Sequence, residues 1–228
     1  GFLIMLMSAQ LPLKMASVGY RQPDFNPLEL LSIFDASQQV SVVDRPLQPQ
    51  LSSYLQQVSR RLGAGHRLTL RQTEVTPARL DCDMRLPAGT GKDALLDDMS
   101  MLASLYADLM DCPKIGIRLE VLTHAMCPKF HIDRTGIRLL CTYLGPGTEW
   151  LDEAFCNRSA LASTYATEEA FHQSLILHPQ GIRQAPQQAL VLLKGSLWQG
   201  NQQAGAIHRS PPMPADATRV VLALDAIW

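Results

Sequence analysis

Neither sign of charge predominates in this 228-residue sequence: 20 Lys and Arg stand against 21 Asp and Glu, a formal net charge of −1. No basic run or stripe with interleaved aromatics occurs, so no nucleic-acid partner is expected. Long hydrophobic runs are missing as well. Phe2 to Met7 is apolar, far short of the roughly 20 residues that cross a bilayer, and it lacks the basic start of a secretory signal. No membrane partner is expected, and residues 1–24 read as a tail outside the folded unit. Paired cysteine motifs are absent too. Cys82, Cys112, Cys127, Cys141 and Cys156 make an odd number with no Cys-x-x-Cys spacing, which excludes a disulfide framework and fits a reducing, cytoplasmic setting. There is neither an internal repeat nor a linker long enough to divide the chain. Residues 25–228 are therefore expected to form one domain, and an apolar content of 46% can supply its core.

What is present in the first half reads as scaffold. Asn26 followed by Pro27 is a helix start, with a capping side chain and a proline at the first helical position. Val40 to Val43 reads as a short strand. Leu51, Tyr54, Leu55, Val58 and Leu62 recur at helical spacing, and so do Leu95, Leu96, Met99, Leu102, Leu105, Tyr106 and Leu109 between Lys92 and Met110. The methionines in this second stripe are core filler. Arg67 to Arg71 and Ile115 to Val121 alternate as strands do.

The second half carries the chemistry. His131 and Asp133 flank Ile132, and in an extended segment side chains two apart share a face, so a nitrogen and an oxygen ligand are presented together. His208 is placed to close the set. Two imidazoles and one carboxylate leave coordination positions open, which suits non-haem Fe(II) better than a closed structural zinc site. Cys127 lies four residues before His131, about 13 Å along a regular strand and too far to share an ion. If Pro128 breaks the strand, a Cys127, His131, Asp133 and His208 zinc site becomes the alternative. His66, His124, His172 and His178 read as solvated or core-satisfied histidines. Phe130 to Trp150 reads as a ligand-bearing strand, a polar link and a second strand ending in a Gly-Pro-Gly turn, Ala189 to Gly195 as a buried strand, and Thr218 to Asp225 as a closing strand. Residues 151–188 form an insert with short helices capped near Asp152 and Thr167.

His131-x-Asp133, the distant His208, and Arg219 eleven positions beyond it resemble the pattern of Fe(II)/2-oxoglutarate-dependent dioxygenases, nearest the prolyl hydroxylase branch. Arg138, Tyr143, Leu144 and Trp150 resemble that branch's following strand. The resemblance covers roughly residues 126 to 228. More closely still, Met126-Cys127-Pro128-Lys129-Phe130-His131, Gly145-Pro146-Gly147-Thr148-Glu149-Trp150-Leu151 and His208-Arg209-Ser210-Pro211 are similar to an uncharacterised bacterial family, domain of unknown function 1826.

The dioxygenase resemblance implies an α+β fold: a double-stranded β-helix, the jelly-roll or cupin-like barrel, with the N-terminal helices packed on its outside. It implies Fe(II) on His131, Asp133 and His208, with 2-oxoglutarate as cosubstrate. Arg219 would pair with the far carboxylate, Tyr143 or Arg138 assisting, and Arg209 is a second candidate for meeting an anion. The activity implied is hydroxylation of a small-molecule or protein substrate. The competing reading is a non-enzymatic Zn(II)-binding protein on the same barrel, and for it the family resemblance implies a link to zinc-homeostasis GTPases.

Overall fold

The computed structural model describes residues 23–123 and 129–228. Cys127, His124 and nearly all of the expected tail lie outside the described residues. Two antiparallel sheets organise the chain. The larger contains β1 (Val40–Val43), β2 (Gly65–Arg71), β3 (Lys114–Leu122), β4 (Ile137–Leu144), β7 (Leu190–Lys194) and β9 (Arg219–Ile227), in the order β1-β7-β4-β9-β3-β2. The smaller contains β5 (Glu149–Leu151), β6 (Ile182–Gln184) and β8 (His208–Arg209), in the order β6-β5-β8. The expected closed barrel is not found. Among the described residues the large sheet ends at β1 and β2 without closing on the small one, and the segment around His131 joins the small sheet through a single bridge to His208.

The two faces of the large sheet are chemically different, and strand alternation makes them so. Ile115, Ile117 and Leu119 of β3, Leu139, Cys141 and Tyr143 of β4, Leu190 and Leu192 of β7, and Leu222 and Leu224 of β9 are buried in one hydrophobic cluster. The cluster also contains Leu51, Tyr54, Leu55 and Val58 from α1 (Pro49–Val58), Leu80 and Met84 from α2 (Pro77–Met84), and the apolar stripe of α3 (Lys92–Met110). The alternate residues, among them Arg118, Glu120, Arg138, Leu140, Val221 and Ala223, line a cavity on the other face.

Local chemistry fixes these elements. Asn26 accepts a hydrogen bond from the Leu28 amide, but the turn it starts is a 3₁₀ helix over Pro27–Phe34. Thr76 caps α2 and Pro77 opens it, a start that matches the capping rule. In the insert, Asp152 and Thr167 cap the 3₁₀ turn Glu153–Phe155 and α4 (Glu168–Leu175). A separate small core of Phe130, Leu151, Phe171, Leu175 and Ile207 holds this insert against the small sheet.

Candidate metal centre

His131 and His208 exchange both backbone hydrogen bonds, each amide donating to the other's carbonyl at 3.0 Å. This narrow antiparallel pair sets the imidazoles side by side, with ring centroids 4.6 Å apart. Asp133 lies across from both. Its Oδ1 is 3.2 Å from His131 Nε2 and its Oδ2 is 3.2 Å from His208 Nε2. One ligand atom from each of the three residues lies within 4.8 Å of the others.

The donor atoms are prepared for a cation. His131 Nδ1 is 2.9 Å from the Lys129 carbonyl and His208 Nδ1 is 2.9 Å from the Ala206 carbonyl. A carbonyl only accepts, so Nδ1 carries a proton in both rings, and Nε2 is the atom each ring turns toward Asp133: protonated, it donates to the carboxylate, and a cation that displaces that proton meets its lone pair. The same arrangement orients metal-ligating histidines in general. Burial alone would raise the Asp133 carboxyl, but hydrogen bonds from His131 and His208 and the nearby charge of Arg138 hold it far below the usual carboxylate range. Its bond to Asp133 raises the His131 imidazole, against the opposing effect of burial. The three residues therefore fit a divalent cation: two neutral nitrogens and one ionised oxygen, converging with their outer atoms already held.

The arginines divide into three roles. Arg138 binds Asp133 Oδ2 at 2.8 Å and Asp225 Oδ1 at 2.9 Å, so it fixes the ligand carboxylate from behind. Arg209 pairs with Glu149 Oε2 at 2.7 Å and lies 4.2 Å above the Phe130 ring. Arg219 differs from both. It is 2% exposed, and its hydrogen-bond partners among the described residues are all neutral: the Pro146 carbonyl and the hydroxyls of Ser210, Thr142 and Thr148. Burial pulls its guanidinium down to about 10, and Glu120 offsets only part of that. Arg219 and the three candidate ligands line the same cavity of about 180 Å³.

Tyr143 is not brought to the site. It sits on the helix-facing side of β4, fully buried, and donates to Asp98 Oδ2 at 2.6 Å. Asp98 in turn grips Arg45 through two hydrogen bonds of 2.7 and 2.8 Å. His66, His172 and His178 join no metal-binding group among the described residues. The sequence reading missed Arg118 and Glu120, whose signal was the polar face of the alternating strand Ile115 to Val121, and it missed the hydroxyls of Thr142, Thr148 and Ser210 around Arg219.

The model of a family described as protein of unknown function (DUF1826) matches residues 25–225. The chain belongs to this family. No curated protein matches its sequence. Among solved structures, the DUF1826 chain is similar to a dioxygenase for auxin oxidation from rice, with a TM-score of 0.50 and 16% identity over 84% of this chain and 74% of that one. A Pseudomonas putida prolyl-4-hydroxylase matches with a TM-score of 0.48 and 9% identity over 91% and 98% of the two chains. The auxin-oxidising dioxygenase 1 of Arabidopsis thaliana, solved with 2-oxoglutarate, matches with a TM-score of 0.40 and 10% identity over 97% and 78%. The likeness to the rice enzyme shows the fold: a mixed α/β architecture with antiparallel sheets of jelly-roll type.

Proposed function

We propose that this DUF1826 protein is an Fe(II)- and 2-oxoglutarate-dependent oxygenase. The observation that carries the reading is Arg219, a buried cation whose hydrogen-bond partners among the described residues are all neutral, in the cavity that holds His131, Asp133 and His208. A buried charge without a counter-ion is costly, and a carboxylate ligand removes the cost through two parallel hydrogen bonds. A zinc-binding protein would need the triad but has no use for Arg219.

His131 and His208 would hold Fe(II) through Nε2 and Asp133 through a carboxylate oxygen. Arg219 would take the distal carboxylate of 2-oxoglutarate, with the Ser210 and Thr148 hydroxyls completing its shell. Arg138 keeps Asp133 ionised and turned inward, and Leu140, Val221 and Ala223 line the cavity beside them. When bound, Fe(II) supplies O₂ activation coupled to oxidation of the cosubstrate.

Anaerobic addition of Fe(II) and 2-oxoglutarate should produce a visible metal-to-ligand charge-transfer band. Arg219→Met should weaken 2-oxoglutarate binding about tenfold to a hundredfold, as loss of a charged hydrogen-bonding group does, while Fe(II) affinity measured alone stays unchanged. A metal-loaded protein with no such band would sink the cosubstrate assignment.

A further inference from the structure

A second cavity lies against the first, and Arg138 lines both. Its volume is about 560 Å³, inside the roughly 300–1,000 Å³ typical of small-molecule sites. The metal-side cavity, at about 180 Å³, has room for a cosubstrate and little else. A substrate body must therefore rest elsewhere, within reach of Asp133.

The walls of the larger cavity are tied to the ligand loop. Ser196 donates to the Asp133 carbonyl at 2.9 Å, Leu197 to Thr135 at 3.0 Å, and Gly195 to Gly136 at 2.6 Å. These bonds hang the Leu197 and Trp198 side chains directly beside the segment that carries the ligand carboxylate. Leu197 and Trp228 stay 60% and 74% exposed and place apolar surface at the cavity rim. Trp198 is partly buried, with its ring 5.9 Å from Phe34, and is held in place as a flat wall.

The charges around this space are unequal. Asp225 is taken up by Arg138 and by Arg118. Arg134 lines the cavity, is exposed, and has no ion-pair partner among the described residues.

Resting on the oxygenase reading, we propose that this cavity binds the substrate, and that the substrate is a flat apolar molecule bearing one carboxylate. The body lies between Trp198 and Trp228, and the carboxylate faces Arg134. The reacting end then lies on the Arg138 side of Asp133.

The test uses naphthalene-2-carboxylate, its neutral amide and the cationic 2-naphthylmethylammonium, titrated by calorimetry into metal-free protein. The carboxylate should bind best, the amide about threefold more weakly, as expected for one exposed ion pair, and the ammonium weakest. Trp198→Ala should weaken all three about tenfold. Because that change touches the core, Arg134→Gln is the second variant: on an exposed residue, it should abolish the preference for acid over amide. His208→Ala should lose metal and keep the probe. In protein loaded with Fe(II) and 2-oxoglutarate, the carboxylate should shift the charge-transfer band.

Equal binding of acid and amide to the wild type, displacement of the probe by 2-oxoglutarate, or binding without any shift of the band would each overturn the proposal. Absence of the band itself, with probe binding and its variant pattern intact, would instead remove the oxygenase reading and leave the cavity a carboxylate-binding site.

Discussion

Arg138 bonds one carboxylate on each side, Asp133 and Asp225, while its own strand fixes its stem. Such outer partners keep a ligating carboxylate in one orientation, and their loss typically costs 10- to 100-fold in metal affinity. Arg138→Met should therefore weaken Fe(II) binding by about that factor in a chelator competition, with the fold intact by circular dichroism. Gly195 is a second control point. A Cβ there would lie 2.3 Å from the Thr135 carbonyl oxygen and 2.7 Å from that of Asp133. Gly195→Ala must push the ligand loop away, so metal affinity should fall although residue 195 touches no metal. Normal affinity in that variant would show the loop to be compliant. At this scale the pairing of His131 with Asp133 was legible in their spacing, while His208 and Arg219, which the structure brings to the same cavity, were singled out through the dioxygenase resemblance. Tyr143 was misplaced although the means to place it were at hand: it lies five residues from Arg138, an odd number, so a regular strand sends the two to opposite faces.

At the scale of elements, β4 joins two environments. Its Arg138, Leu140 and Thr142 face the site, and its Leu139, Cys141 and Tyr143 face the helices. The Tyr143 hydroxyl and the Arg45 guanidinium both end on Asp98 of α3, which is 5% exposed. Removing one partner of a buried pair leaves the other charge stranded, at a cost of about 3–5 kcal/mol. Asp98→Ala should lower the unfolding free energy by that amount in urea. Probe binding at the Trp198 cavity should persist in the folded fraction. The long stripe of α3 and the alternation of β3 were readable because several buried residues repeat one period, and β9, buried on both faces over Arg219 to Leu224, was readable from its β-branched and aliphatic content. α2 was not, since its buried residues are only Leu80 and Met84; the Thr76-Pro77 start was its sole signal. The expected strand around His131 is a single bridge, and the two- and three-residue strands β5, β6 and β8 are too short for any period to show.

For the whole molecule, metal and fold should be thermodynamically linked. The ligands come from two segments of the chain, and an ion that binds only the assembled set stabilises it by about 2.7 kcal/mol at a hundredfold excess over its Kd. For a domain of this size that is a rise of about 5–10 °C in Tm. Scanning calorimetry with and without Fe(II) under argon should show it. His208→Ala should abolish the rise, and Arg219→Met should leave it. A shift that survives His208→Ala would place the stabilising ion elsewhere. Among the described residues no helix is long and apolar enough to cross a membrane.

The reciprocal backbone pair between His131 and His208 also fixes when the centre comes into being. Seventy-seven positions separate its two halves, and Arg219 follows later still. A ribosome-bound chain that has emerged only through β7 carries His131 and Asp133 but cannot complete the set. Assembly of the three candidate ligands is thereby withheld until β8 has joined the small sheet, and a chain that stops before β8 lacks the set.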